Sequence, residues 1–290
     1  MMRTTYGLVG YPLGHSLSPV IHNTALAALE VDAVYELFPM EQEALADFFT
    51  ALKAKESHIF GLNVTVPHKE NVIPFLDALD PFATKVGAVN TVVITADRKL
   101  IGRNTDGPGF MTHLTEEGFN PAGRAVAILG AGGASRALIS VLCLLPEKPR
   151  EIRVFDVDQQ RAGALVRDLS ARMDTSSVKI VASVAALNIE TADLLINATP
   201  IGMKADDPCL VKEEWLHAGM MVYDLVYNPA ETKLLAMARR RGARAVNGLR
   251  MLFFQAVLAF QHWAEIQLPE KIKAKMWEAL LTASQPKVLS

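Results

Sequence analysis

The stretch Ala125-Val126-Ala127-Ile128-Leu129-Gly130-Ala131-Gly132-Gly133-Ala134-Ser135-Arg136-Ala137-Leu138-Ile139 passes from an unbroken apolar run, through a glycine turn, into residues of helical composition. The apolar run predicts a strand buried in a parallel sheet. No helix breaker follows until Pro146. Strand, glycine turn and helix in that order are the setting in which glycines predict a dinucleotide site. Gly130 allows the tight turn. Gly132, without a side chain, lets the backbone approach a pyrophosphate at the positive helix N-terminus. The third glycine of the usual G-x-G-x-x-G pattern falls at Ser135. A purely structural βα turn is therefore the competing reading.

The next segment, Glu151-Ile152-Arg153-Val154-Phe155-Asp156, alternates and ends in a carboxylate. An acid at that strand end accepts hydrogen bonds from the ribose 2′-hydroxyl of NAD and repels the 2′-phosphate of NADP. Asp156 as an ordinary turn residue is the rival. Together the two features favour a nicotinamide site.

At 290 residues the chain is long enough for two lobes. Half the residues are hydrophobic and the net charge is −2, which describes a folded globular protein and predicts neither nucleic acid nor membrane as partner. The one basic run, Arg239-Arg240-Arg241, precedes Gly242 and reads as a helix C-terminus. Two distant cysteines, Cys143 and Cys209, provide no disulfide framework, and the histidines have no metal-ligand spacing, so no metal is expected. The N-terminus lacks a signal peptide's pattern, and no apolar run approaches the roughly 20 residues that span a bilayer. A reducing cytoplasm is the expected setting.

Before the glycine turn the chain reads as βαβα, hence a separate parallel α/β lobe. Its first strand ends at Gly10, and Ser18-Pro19 predicts a helix start with Ser18 as N-cap. Ser16 and Ser18 also sit where a strand's carboxyl end meets a helix, the usual place for a polar ligand. In Asn63-Val64-Thr65-Val66-Pro67-His68-Lys69 a strand runs into Pro67, and Lys69 is expected in the first turn of a short helix. That is the unfavourable end for a cation, which marks it as a functional candidate. Asn90 opens an apolar strand and needs a partner if buried. Asp106 is either a cap or a carboxylate brought opposite Lys69. Farther on, Gln255 interrupts a long apolar helix that follows Gly248.

Ser16-Leu17-Ser18-Pro19, Asn63 through Lys69, Gly87-Ala88-Val89-Asn90-Thr91, Asn104-Thr105-Asp106-Gly107, the glycine turn, Asn197-Ala198-Thr199-Pro200-Ile201-Gly202-Met203, Asp224 through Pro229 and Gly248 through Gln255 form an ordered series. In this series the chain resembles the shikimate dehydrogenase family, which includes quinate/shikimate dehydrogenases. The resemblance covers nearly the whole length. It implies an α/β fold with an N-terminal substrate lobe and a Rossmann nucleotide-binding lobe, and an active-site cleft between them. The substrate-binding and catalytic domain would be 1–107 plus 249–290, and the Rossmann domain 108–248. Lys69 and Asp106 would be the acid/base pair. Ser16, Ser18, Asn63, Thr65, Lys69, Asn90, Asp106, Tyr227 and Gln255 would contact substrate. The cofactor, NAD or NADP, would lie along Gly130, Ala131, Gly132, Gly133 and Ala134, with Asp156, Thr199, Leu225, Gly248 and Met251 around it.

The implied activity is reversible reduction of 3-dehydroshikimate to shikimate on the route to chorismate and the aromatic amino acids. The enzyme would be a monomer or homodimer without a metal. An NAD-dependent quinate/shikimate dehydrogenase with a catabolic role is the alternative. A non-catalytic metabolite sensor is the reading of another class, and the presence of both Lys69 and Asp106 argues against it. Many NADP-using members carry an N-R-T-like stretch where this chain has Asp156-Val157-Asp158. That departure predicts NAD, with Arg153 and Arg161 as the nearby cations that weaken the preference. Arg250 stands where the family often has glycine, and the sequence assigns it no role.

Overall fold

In the computed structural model, which describes residues 3–285, the chain opens with β1 (Thr4–Gly10), α1 (Ser18–Ala28), β2 (Ala33–Pro39), α2 (Leu45–Leu52) and β3 (Ile59–Val64). There follow β4 (Ala78–Leu79), α3 (Pro81–Val86), β5 (Thr91–Ile94), β6 (Leu100–Arg103) and α4 (Asp106–Glu116). The strands form one mixed sheet in the order β2-β1-β3-β5-β6-β4. The βαβα reading holds here: β2, β1 and β3 are parallel, while β5 and β6 return antiparallel as a hairpin. Apolar residues at the spacing of Leu45, Phe49 and Leu52 give α2 one buried face, which packs with Val9, Leu62, Val64, Val92 and Leu100.

Two local expectations fail in this part. The N-cap of α1 is Leu17, with no side-chain cap bond. The helix begins one residue earlier than Ser18 predicts, and the Ser18 N–H donates to Ser16 Oγ at 3.3 Å instead. Lys69 lies in a run of turns ahead of a short 3₁₀ segment, Ile73–Phe75, rather than in the first turn of a helix. The reason is visible in the backbone. The Lys69 carbonyl accepts from Val89 N at 2.7 Å, so it is committed to a distant segment instead of to a helical neighbour. Buried His68 anchors the same turn through Nε2, 2.8 Å from the Met40 carbonyl.

The second part comprises β7 (Ala125–Leu129), α5 (Gly133–Cys143), β8 (Glu151–Phe155), α6 (Gln159–Ser170), β9 (Val178–Ile180), β10 (Leu194–Asn197), β11 (Met221–Asp224), α7 (Lys233–Arg240) and β12 (Arg244–Asn247). Then come α8 (Leu249–Ala264) and α9 (Glu270–Ser284). All strands are parallel, in the order β12-β11-β10-β7-β8-β9. This is the doubly wound order of a Rossmann sheet, with β7 at the switch point. Every residue of β7 is buried. Val126 and Ile128 enter the core with Leu138 and Leu142 of α5, while Ala127 and Leu129 enter a second core with Leu195 and Leu235. Helices therefore cover both faces, as an unbroken apolar strand requires.

One compact unit takes the chain up to Gly109 and again from Phe253, and the other is Phe110–Leu252, so the divisions fall inside α4 and α8. In the first unit α9 packs on α1. The basic run is structural, as its position before Gly242 suggests. Arg239 pairs with Glu231, Arg240 with Glu213 at 2.7 Å, and Arg241 donates to the Leu216 carbonyl at 3.1 Å. Arg250 also acquires a role, gripping Glu116 at the end of α4 with both sides of its guanidinium, Nε at 2.8 Å.

His22 of α1 is fully buried and stacks on Tyr35, ring centroids 4.4 Å apart. Burial lowers its pKa to about 3, against a smaller opposing effect from Asn63 beside it. The unfolded imidazole takes up its proton near pH 6.5 and the folded one only near 3, so the contribution to stability is complete above 6.5 and lost as pH falls through that window. The loss is roughly 1.4 kcal/mol per pH unit. Urea unfolding between pH 7 and 5 is expected to show a shallower acid-side decline in His22→Phe than in the parent chain.

Candidate active site

In the first unit, three separated segments converge. The turn after β3 supplies Lys69, the residue just before β5 is Asn90, and the first residue of α4 is Asp106. Lys69 Nζ lies 2.6 Å from Asp106 Oδ2, and the two side chains are only 15% and 9% exposed. Burying an ion pair is costly unless the remaining lone pairs are filled. Here Asn90 Nδ2 donates to the other Asp106 oxygen at 2.8 Å. Asn90 also contacts Thr105 Oγ1 at 3.0 Å and Gln255 Oε1 at 3.5 Å, and its own Oδ1 accepts from Thr105 N at 2.7 Å. Asp106 thus opens a helix, where a negative charge complements the dipole, and also faces Lys69.

Among the residues that the sequence singles out in this unit, Lys69, Asn90, Asp106 and Gln255 are brought together. Asn63 stands behind them, 4% exposed, with its Nδ2 donating to the Asn90 carbonyl at 3.2 Å. Ser16 and Ser18 lie at the start of α1, and Thr65 directly follows β3. Asn104 and Thr105, which the sequence marks only as members of a motif, prove to be buried supports. Asn104 Oδ1 accepts from Asp106 N at 3.1 Å while its Nδ2 donates to the Ala88 carbonyl at 3.0 Å. The signal for them was the polar tripeptide itself, placed directly before a helix.

In the second unit the glycine turn fits a dinucleotide phosphate. Gly130 has φ +96°, and a Cβ there would stand 2.9 Å from the Ala198 carbonyl oxygen, so only glycine makes this turn without strain. The N-cap of α5 is Gly132, with no side-chain cap bond and open space above it. The first amides of α5 are therefore uncapped by any side chain and available to an anion. Ser135, the departure from the glycine pattern, is fully buried, and its hydroxyl donates to the Gly130 carbonyl at 2.7 Å. It ties the turn instead of opening it.

Asp156, at the end of β8, is 4% exposed. Burial alone would raise its pKa, but the Asp158 amide, Arg161 and the Ala131 amide hold it below the usual carboxylate value. Ala131 N donates at 2.6 Å, Asp158 N at 2.8 Å, and Arg161 Nη2 reaches both oxygens at 2.7 and 2.8 Å. Arg153 points elsewhere, to the Leu187 carbonyl at 3.0 Å and to Glu151. Of the two cations, only Arg161 bears on Asp156.

The remaining residues of this unit that the sequence marks are differently disposed. Thr199 Oγ1 donates to Asn197 Oδ1 at 2.7 Å, inside its own loop. Met251 is buried in the core beside α5, and Leu225 packs at its margin. Tyr227 is half-buried, and burial raises its phenol pKa. Asp224, which the sequence presented only as part of a motif, is fully buried at the end of β11. It accepts from Thr232 Oγ1 at 2.6 Å, Asn197 Nδ2 at 2.8 Å and Val226 N at 3.0 Å. It ties the end of β10 to the connection between β11 and α7 at the carboxyl edge of the sheet.

A Rossmann sheet with an uncapped phosphate turn, together with a buried lysine–carboxylate pair in a second α/β unit, defines a dinucleotide-dependent oxidoreductase. The family model for the shikimate dehydrogenase substrate binding domain matches residues 8–92. A shikimate dehydrogenase (NADP(+)) from Moorella thermoacetica is 42% identical over 287 residues, covering 96% of this chain and 93% of the relative. The solved structure of shikimate 5-dehydrogenase from Listeria monocytogenes, in complex with shikimate and NAD, is 33% identical with a TM-score of 0.84, covering 94% of this chain and 96% of that one. Quinate dehydrogenase from Corynebacterium glutamicum, in complex with NAD, is 32% identical with a TM-score of 0.85, covering 97% and 99%. The chain belongs to the shikimate dehydrogenase family.

Gly248 meets the Leu225 carbonyl so closely that a Cβ would stand 2.2 Å from its oxygen. Gly248→Ala is expected to cost about 1–3 kcal/mol of stability, the usual range for forced overpacking, as read by denaturant unfolding.

Proposed function

We propose that this chain catalyses the reversible reduction of 3-dehydroshikimate to shikimate, with Lys69 and Asp106 moving the proton. The observation that carries this reading is the 2.6 Å Lys69–Asp106 pair, backed by Asn90 and Gln255. The glycine turn and the uncapped start of α5 would hold the dinucleotide, which when bound supplies the hydride. As the ketone carbon gains that hydride, its oxygen becomes an alkoxide, and Lys69 Nζ–H donates the proton that completes the hydroxyl. Asp106 keeps the ammonium aimed, and the neutral amine regains a proton from solvent. In the reverse direction the amine takes the hydroxyl proton. A polyhydroxylated acid suits the hydroxyls and amides of Ser16, Ser18, Thr65, Asn90, Tyr227 and Gln255. The two cysteines are free thiols, as a reducing cytoplasm would keep them.

We further propose that NAD is preferred. The four hydrogen bonds already made by Asp156 saturate its oxygens, so a ribose 2′-hydroxyl is accepted only when exposed Arg161 yields its place. A 2′-phosphate would instead draw Arg161 away and meet the carboxylate behind it. Arg161 is the counterweight that moderates the preference. The likeness to an NAD-bound quinate dehydrogenase favours quinate as a second substrate, although quinate carries a tetrahedral, hydroxylated carbon where shikimate has a double bond.

Initial rates with shikimate or quinate, each paired with NAD or NADP, test the whole reading. Shikimate turnover with NAD above NADP is expected, and Arg161→Ala widens the ratio. A strong NADP preference would remove the Asp156 argument and keep the enzyme, whereas no turnover in any pairing would favour a metabolite sensor. Lys69→Ala is expected to lower kcat by about 10²–10⁴-fold with dinucleotide affinity nearly unchanged.

A further inference from the structure

Behind the Lys69–Asp106 pair lies a series of buried, mutually hydrogen-bonded polar side chains. Tyr35, on β2, is 2% exposed, and its hydroxyl donates to Asn63 Oδ1 at 2.8 Å. That bond fixes which way the Asn63 amide faces, so its Nδ2 is directed to Thr91 Oγ1 at 3.3 Å and to the Asn90 carbonyl at 3.2 Å. Thr91, fully buried, donates to Asn90 Oδ1 at 3.1 Å. Asn90 Nδ2, oriented by that contact, donates to Asp106 at 2.8 Å. Each donor in the series points toward the carboxylate, and the last acceptor is the group that holds Lys69.

We infer that Tyr35 is a positioning residue for the Lys69–Asp106 pair, acting through the one-way relay Tyr35–Asn63–Thr91–Asn90–Asp106. Hydrogen bonds in such a chain polarise one another, and the low dielectric of a buried site strengthens each. The relay sets the amide orientation of both asparagines, which otherwise have two nearly isosteric choices. Tyr35 is itself held firmly. Asn23 of α1 clamps its backbone from both sides, accepting from Tyr35 N at 2.8 Å and donating to its carbonyl at 3.0 Å. The His22 ring covers its face. Burial keeps the phenol protonated, so it remains a donor across the working pH range, and Ser18 stands beside the same oxygen. Tyr35 therefore touches both the start of α1 and the root of the acid/base pair.

The inference deepens the function proposed above and rests on it. Two isosteric variants test it, Tyr35→Phe at the head of the relay and Thr91→Val in its middle. Each is expected to lower kcat about tenfold, the effect of roughly 1.4 kcal/mol in the barrier, with the KM for dinucleotide unchanged. The double variant is expected to match either single, since both cut one chain. The side-chain amide protons of Asn63 and Asn90, followed by NMR, exchange faster in both variants. Effects that multiply, a changed KM for dinucleotide, or unchanged amide exchange overturn the relay. Wild-type turnover is the control on the function itself. If it is absent, that reading fails, and amide exchange alone decides the relay.

Discussion

The Lys69–Asp106 ion pair is the constraint around which the first unit is built. Two charges removed from water repay their desolvation only when every remaining lone pair and proton is placed. Asp106 accepts one donor on each oxygen, and its backbone amide is held by Asn104. Those partners come from segments far apart in the chain, so sheet register has to align them. Asn63 pairs with Thr91 across β3 and β5, and Thr91 with Arg103 across β5 and β6. This places the turn carrying Lys69, the start of β5 and the start of α4 side by side. A slip of one residue in β5 would turn Thr91 to the other face and break the supports of Asn90. The site is therefore a property of the hairpin register, and the antiparallel return matters as much as the parallel strands.

The second unit follows the opposite rule. Where the first gives each oxygen of Asp106 a donor, the glycine turn leaves helix amides without a side-chain partner. Gly130 adopts a positive φ with the Ala198 carbonyl where a side chain would stand, and Gly132 offers the amides of α5 no side-chain acceptor. Helix amides left in this way represent a local cost that a ligand repays. Ser135 shows how the turn stays rigid while open, since its hydroxyl satisfies the Gly130 carbonyl from within. Rigidity and uncapped amides are compatible because they involve different backbone groups.

Much of this was legible in the sequence, and the failures have physical causes. The alternation of strands and helices and the buried β7 were readable from local pattern and spacing, whereas the residues alone left Asp106 either a cap or the partner of Lys69, and the pair was implied only by the family resemblance. Ser18 failed as a cap because the helix start is set by the fit of Ile21, Ala25 and Leu26 into the core, which local propensity does not record. Lys69 failed as a helical residue because its carbonyl is taken by Val89, twenty positions on, and no local rule carries that contact. Arg153 and Arg161 looked alike as neighbours of Asp156. Only the fold separates them, since one guanidinium reaches Leu187 and Glu151 and the other reaches the carboxylate. No local pattern marks Tyr35, because its partner, Asn63, lies on a non-adjacent strand.

A stability argument alone does not explain this interior. Tyr35, Asn63, Asn90, Thr91, Thr105 and Asp106 are all buried within one small region. Apolar residues of similar volume at those positions would fill the same space without the desolvation cost, and such replacements are often neutral or stabilising. A fold selected only to persist would not concentrate its buried polar groups there. What the arrangement does achieve is one fixed orientation for each amide and one aim for an ammonium group. Preorganised donors and charges of this kind lower a barrier because they need no reorganisation when charge develops on the reacting oxygen. With Lys69 as the proton donor proposed above, the cost carried by the folded state would be recovered in the transition state, and the polar core would owe its origin to that chemistry rather than to the stability of the sheet beneath it.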